Sequence, residues 1–247
     1  MIPKIIYYAW FGKQELPVEV KNNIANWKKI NPDFEIVEIN ETNFPIDDYN
    51  FAKVAYSTNN WAFVSDVARL WAVANTGGFY LDTDVELLKP LAPFVKEQSV
   101  WALENANAIA TGLFFGAEQE NSDVINILNL YRDIIFNPEQ PGTTTTVSIV
   151  TNYFKLKGFQ LRNRQQTLAS GAKIFPVEYF APLHYWGGGR VTRKTVAIHR
   201  YSATWLQNSG GLKIGKFDQR RIRLQTSLYF PKSYDWLERT FRKWKRK

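Results

Sequence analysis

The sequence predicts an α/β fold, and three observations carry that expectation. Residues 4–11 form a β-branched and aromatic run stopped by Gly12, the pattern of a buried first strand. Segments with helical and with strand periodicity then alternate along the chain, as they do where helices pack on a sheet. Gly77 and Gly78 end a helical segment and lead into Phe79, Tyr80 and Leu81, a short apolar run that finishes on Asp82 and Asp84.

Each element follows from its local pattern. Residues 17–30 begin with Pro17 and set Val20, Ile24 and Trp27 on one face, which predicts an amphipathic helix broken at Asn31, Pro32 and Asp33. Residues 34–39 alternate and read as a second strand, and residues 40–50 read as loop. Residues 51–76 read as helix, with a new helix starting at Trp61 behind a cap at Asn59 or Asn60. Residues 99–104 and 109–116 are further strands, the second with small residues before bulky ones. Small residues there let a ligand approach the backbone, or mark a bulge or tight sheet contact. Residues 121–136 predict a helix capped by Ser122, with Val124, Ile127, Leu128, Tyr131 and Ile135 inward.

Threonines 143–146 precede an apolar helix that runs to Lys157. Residues 167–176 read as strand and turn, 178–182 as an aromatic turn, and 195–199 as strand. The glycines at 187–189 do not make a Walker loop, because no Gly-Lys-Ser/Thr follows at the needed spacing.

Composition narrows the class. The chain has 247 residues, 45% of them hydrophobic and 15% aromatic, enough for one domain with its own core. The absence of cysteine excludes disulfides, thiolate zinc sites and a cysteine nucleophile. His184 and His199 are the only histidines, which argues against a multi-histidine metal site. Net charge is +8, yet residues 218–247 hold ten Lys/Arg against three Asp/Glu. The expected organisation is therefore a catalytic domain over 1–217 and a basic, amphipathic tail over 218–247. In residues 234–247, Trp236, Leu237, Thr240, Phe241 and Trp244 share one helical face, which suits an anionic lipid surface or docking on the body. No signal peptide and no apolar run of spanning length is present, so the expected location is cytoplasmic, peripheral at the inner face of the plasma membrane.

The chemistry gathers around Asp82 and Asp84. In a strand, positions i and i+2 share a face, so these carboxylates would converge on one point. Two like charges that close favour a cation between them, and hard oxygen ligands suit Mn²⁺ or Mg²⁺. Asp66 and Arg69 stand at i and i+3 on the helix that feeds this strand, either as a surface ion pair or as site residues. Trp10 falls at the end of the first strand, where open α/β sheets place ligands, with core packing as the other reading. His199 ends a strand beside hydroxyls and Trp205. A lone histidine of this kind is more often structural than a ligand.

Several of these stretches, in this order, resemble the glycosyltransferase family with the DXD sugar-binding region. They are residues 2–12, residues 61–69 with Ser65-Asp66 and Arg69, residues 77–84 with Gly77-Gly78, Tyr80, Asp82 and Asp84, and residues 195–199 followed by Trp205. Relatives include bacterial capsule and lipopolysaccharide sugar transferases, the yeast Golgi initiating mannosyltransferase and, more distantly, the glucosylating domains of large bacterial toxins. The resemblance implies a GT-A-type fold, with a mixed central sheet flanked by helices. It implies a retaining, metal-dependent hexosyltransferase using a nucleotide sugar, a UDP-sugar foremost, and Mn²⁺ or Mg²⁺. The acceptor would be a saccharide or lipid-linked saccharide in surface polysaccharide synthesis.

By matching position, Trp10 would stack near the base, Asp66 and Arg69 would hold the donor sugar and diphosphate, and Tyr80 would lie near the nucleotide. Asp82 would contact ribose and the metal or its water, Asp84 would ligate the metal, and His199 would complete that site. Thr204 and Trp205 would join the donor site. The chain departs from the family at Arg200, where a second histidine is frequent, at Thr204 in place of serine, and at Thr111 in place of asparagine. A basic-tailed nucleic-acid-binding protein is the alternative, carried by the tail charge alone.

Overall fold

The computed structural model describes residues 1–143, 145–184 and 188–201, together with Thr226, Leu228 and Phe230. The chain enters through β1 (Ile5–Ala9), crosses over by α1 (Val18–Ile30) and returns as β2 (Glu35–Ile39), which pairs parallel to β1. Helices α2 (Asn50–Ser57) and α3 (Trp61–Thr76) lead to β3 (Gly78–Tyr80), parallel to β1 on its other side. Then follow β4 (Val85–Leu87), β5 (Ser99–Asn105), β6 (Ala108–Ile109) and β7 (Phe115–Ala117). Helices α4 (Ser122–Leu130) and α5 (Thr146–Leu156) precede β8 (Gln166–Thr167), β9 (Ala172–Phe175), α6 (Val177–Phe180) and β10 (Ala197–His199).

Eight strands make one mixed sheet in the order β2-β1-β3-β7-β5-β9-β8, with β6 on β5, while β10 and β4 form a separate antiparallel pair. β7 runs antiparallel to both β3 and β5. The carboxyl ends of β1, β3, β5 and β9 therefore share one edge, the edge where open α/β sheets bind ligands.

The core explains why α3 lies where it does. Val64, Val67, Ala68, Leu70 and Val73 on this helix are wholly buried. Beneath the sheet end, Phe114 stacks on Phe180 at 3.9 Å and faces Phe79 at 5.8 Å. Each buried phenylalanine contributes about 1.5–3 kcal/mol by area removed from water. Gly77 ends α3 with φ 70°, where a side chain is strained, and a Cβ would stand 2.6 Å from the Gln119 amide.

The structure revises several expectations. The run over 109–116 is two strands, because β6 stops at Ile109 and β7 starts at Phe115. The segment between them turns so that the Gly112 carbonyl accepts from the Asp82 amide at 2.9 Å. The helix at 121–136 ends at Leu130, and Ile135 is exposed. Its cap is Asn121, which accepts from the amides of Asp123 and Val124, rather than Ser122. The segment 51–76 is two helices, and the predicted start at Trp61 holds, although Asn60 makes no side-chain cap bond. The aromatic turn at 178–182 is largely the short helix α6. Leu228, within the stretch assigned to the tail, is buried in the main core.

Candidate active site

Arg69 is the hub. Its Nη2 lies 3.0 Å from Asp66 Oδ1 and 3.5 Å from Asp82 Oδ1. Nε donates to the Ser65 carbonyl at 3.0 Å, and Nη1 approaches the Thr111 hydroxyl at 3.5 Å. The guanidinium lies over the Tyr80 ring, 4.7 Å from its centroid, a cation–π contact. The Tyr80 hydroxyl in turn donates to Asp82 Oδ1 at 3.0 Å. The i, i+3 spacing read from the sequence is thus an inward pair, with the Arg69 side chain only 6% exposed.

Asp82 and Asp84 do converge, though by a different route from strand alternation. β3 ends at Tyr80, and residues 81–84 form the turn into β4, closed by the Val85 amide on the Asp82 carbonyl at 3.0 Å. Asp82 bends toward Arg69, whereas Asp84 Oδ1 meets His199 Nε2 at 2.8 Å. The pairing of β10 with β4 sets His199 opposite Val85, and the Arg200 amide donates to the Asp84 carbonyl at 3.0 Å. Arg200, the departure from the family pattern, points elsewhere and pairs with Glu86 through Nε at 2.9 Å.

The other edge of this turn is held by α1. Asn23 donates to the Thr83 carbonyl at 2.9 Å, Trp27 Nε1 to the Val85 carbonyl at 2.8 Å, and Asn26 to the Leu87 carbonyl at 2.8 Å. Spacing of i, i+3 and i+4 puts these three donors on one helix face. They satisfy every second carbonyl of the segment, which leaves fewer backbone groups unpaired on burial.

Burial and charge set the protonation pattern. Burial pushes the Asp66 carboxyl up to about 6, against the opposing pull of Arg69 and a hydrogen bond from Thr146. Burial acts against the Arg69 cation, yet Asp82, Tyr80 and Asp66 together raise its pKa. Tyr80 is held well above the usual phenol range, chiefly by burial. Burial lowers the His199 pKa, and the Asp84 hydrogen bond with the charges of Asp84, Asp82 and Glu104 more than offsets it.

Asp82, Asp84 and His199 offer ligand atoms within 4.8 Å of one another. His199 Nδ1 is buried and has no hydrogen-bond partner among the described residues. Two carboxylates with one imidazole fit a hard divalent cation such as Mn²⁺ or Mg²⁺, so the set present could hold one.

The remaining candidates fall as follows. Tyr7 on β1 pairs with Tyr80 on β3, so Trp10 lies at the same sheet edge, about one residue beyond the level of Asp82. It is half-buried, and its indole donates to the Gln14 carbonyl at 2.7 Å. Thr111 is buried against Arg69. Thr204, Trp205 and residues 231–247 lie outside the described residues.

Three features escape sequence reasoning. At Gly112, an added Cβ would overlap Asp82 Oδ2 and stand 2.8 Å from Arg69 Nη1, so this glycine admits the two side chains. The small-residue run at 109–112 was the available signal, and the group that approaches the backbone is Asp82. The α1 donors gave a weaker signal, two asparagines beside a tryptophan. Tyr131 and Thr146, whose buried hydroxyls pair at 2.8 Å, gave none by spacing.

Residues 17–101 match the family described as "Glycosyltransferase sugar-binding region containing DXD motif". The matched stretch holds Asp66, Arg69, Tyr80, Asp82 and Asp84. Among solved structures, the chain is similar to the PaToxG glycosyltransferase at a TM-score of 0.50 and 16% identity, over 63% of this chain and 69% of that one. A glycosyltransferase involved in the glycosylation of the major capsid of PBCV-1 aligns at a TM-score of 0.40 and 12% identity, over 72% of this chain and 84% of that one. No curated protein matches the chain. The fold is of the GT-A type, a mixed sheet with helices on its faces.

Proposed function

We propose that this chain is a retaining, Mn²⁺- or Mg²⁺-dependent hexosyltransferase. It takes its sugar from a nucleotide-sugar donor, a UDP-sugar foremost, and passes it to a saccharide acceptor in surface polysaccharide synthesis. The observation that carries the reading is the meeting of Asp82, Asp84 and His199 within 4.8 Å, beside the buried Asp66–Arg69 pair. Family resemblance supports the donor class and retention of configuration.

Asp82, Asp84 and His199 would hold the ion, which when bound supplies positive charge to the diphosphate leaving group. Arg69 adds a fixed guanidinium for diphosphate or sugar oxygens, and burial strengthens that contact. Asp66 accepts from a donor-sugar hydroxyl, Tyr80 aligns Asp82 and the arginine, and Trp10 meets the base. Thr204 and Trp205 belong to the same donor site in this reading. Residues 218–247, with their surplus of Lys and Arg, bring the enzyme to anionic lipid at the inner membrane face, where lipid-linked acceptors are held. Among the described residues, no helix is long and apolar enough to cross a membrane.

The deciding experiment is a nucleotide-sugar panel with Mn²⁺, assayed by donor hydrolysis and transfer. One or more donors are turned over by the native chain, EDTA abolishes turnover, and Asp84→Ala is inactive with a near-native Tm. Undiminished activity in EDTA or in Asp84→Ala refutes the metal-dependent mechanism. For the tail, flotation with anionic liposomes is lost on deleting residues 218–247; equal flotation of both forms refutes that role.

A further inference from the structure

Residues 10–14 leave β1 at the ligand edge of the sheet, and their last tie to β2 is the Trp10 amide donating to the Ile39 carbonyl at 2.9 Å. Beyond it the chain turns through two left-handed residues, Gly12 at φ 93° and Lys13 at φ 58°. That conformation is uncommon for a residue with a side chain, so Lys13 has to be held in it. The turn closes where the Trp10 indole donates to the Gln14 carbonyl at 2.7 Å. The aim of the Trp10 ring therefore depends on how residues 11–13 are fixed.

The fixing comes from outside the turn. Glu41, just past β2, accepts on Oε1 from the Gly12 amide at 2.7 Å and from the Tyr56 hydroxyl of α2 at 3.2 Å. A carboxylate makes the stronger kind of hydrogen bond to such donors. Phe11 stands edge-on to Phe44, from the same segment as Glu41, at 6.0 Å. Behind Gly12 lies the indole of Trp61, the first residue of α3, itself edge-on to Tyr56 at 5.0 Å. A Cβ at Gly12 would stand 2.8 Å from that indole. The end of β1, the segment after β2, α2 and α3 thus meet around one carboxylate and one ring.

We propose that Glu41 is a positioning residue for nucleotide binding. Its Oε1 holds the turn over residues 10–14 in place before the donor arrives, so Trp10 meets the base without first having to be ordered. The inference rests on the reading that Trp10 meets the base, and it adds the side chain that sets Trp10 there. Glu41 itself acts through the Gly12 amide rather than on the donor.

The test compares Glu41→Ala, Glu41→Gln and Tyr56→Phe in the full chain, well below the Tm of each. In Glu41→Ala, calorimetric affinity for UDP with Mn²⁺ is expected to weaken about 10-fold. Donor KM rises in parallel and kcat stays within about threefold of native, because binding shared by ground and transition states is what is lost. Glu41→Gln keeps Oε1 as an acceptor and restores the affinity. Tyr56→Phe lies near native, because the bond to the Gly12 amide remains. Native UDP affinity in Glu41→Ala, failure of glutamine to rescue, or a kcat that falls as steeply as the affinity overturns the positioning role.

A second measurement needs no nucleotide. Lys13 is exposed, and tryptic cleavage after it requires the turn to open. The N-terminal peptide ending at Lys13 should appear about fivefold faster from Glu41→Ala than from the native chain, with Glu41→Gln near native. Equal cleavage rates in Glu41→Ala and the native chain overturn the inference. If the native chain binds UDP and Glu41→Ala binds it equally, the positioning role alone fails. If cleavage separates the variants while the native chain binds no nucleoside diphosphate, the proposed function fails and the positioning role with it.

Discussion

The site has two ends, and they are built on different principles. At one end Asp66, Arg69 and Asp82 come from a helix and the turn it feeds, and Arg69 is gripped by Ser65, Asp66, Asp82, Tyr80 and Thr111. At the other end Asp84 meets His199, which arrives from near the far end of the described chain, and their side chains are 21% and 14% exposed. The first end is part of the folding core, so its charges are fixed by burial and by one another. The second is a turn hung on that core, and it is fixed through its backbone, by α1 on one edge and β10 on the other. Changes at the first end should therefore cost stability and activity together, whereas changes at the second should separate them.

Arg69→Ala should have the largest effect. It leaves the Asp66 and Asp82 carboxylates without their shared counterion, at about 3–5 kcal/mol of stability in urea unfolding. Arg69→Lys should regain part of the stability and little of the turnover, because the fork that reaches both carboxylates is gone. A Tm unchanged in Arg69→Ala would break the comparison outright.

Gly112→Ala comes next. The new Cβ displaces Asp82, which belongs to both ends, so a cost of about 1–3 kcal/mol is expected together with a clear drop in turnover. Stability lost with native activity would show that Asp82 can move without consequence.

Asn23→Ala tests the second end alone. Removing its bond to the Thr83 carbonyl should cost about 0.5–1.5 kcal/mol. The more telling readout is the Mn²⁺ concentration for half-maximal activity, which should rise as the turn loosens. An unaltered Mn²⁺ requirement would assign the α1 donors to the fold only.

The last test concerns pH. Burial pushes the Asp66 carboxyl up to about 6, from the ordinary aspartate value of about 3.8. Since the folded value is raised, the stability linked to its proton is complete below about 3.8 and is lost as pH rises through about 6. Asp66→Asn should flatten the fall of Tm over that window. A variant whose Tm falls as steeply as the native protein's would show that Asp66 is not the group responsible.

Much of the fold was legible because periodicity reports burial. The strands at β1, β2 and β5 and helices α1, α3 and α5 follow their apolar patterns closely. The misses sit where a local signal was outweighed by a tertiary partner. The run at 109–116 looks like one strand, yet the turn at Gly112 is made by Asp82 and Arg69 pressing against its backbone. Ser122 and Asn121 are both good caps, and only geometry chose Asn121. In the site, Asp66 with Arg69 was readable from i, i+3 spacing, but whether the pair faces water or the core was not.

By itself the sequence determined an α/β chain with a glycine-hinged helix feeding two carboxylates, and with motif order enough to point to sugar transfer. Those features are local, written in spacing and residue type. Tertiary structure alone decided that a turn rather than a strand brings Asp82 and Asp84 together, that His199 closes on Asp84, and that Tyr131 pairs with Thr146. Such contacts join residues far apart in the chain. They depend on packing and on the need of buried polar groups for partners, neither of which leaves a mark in local spacing.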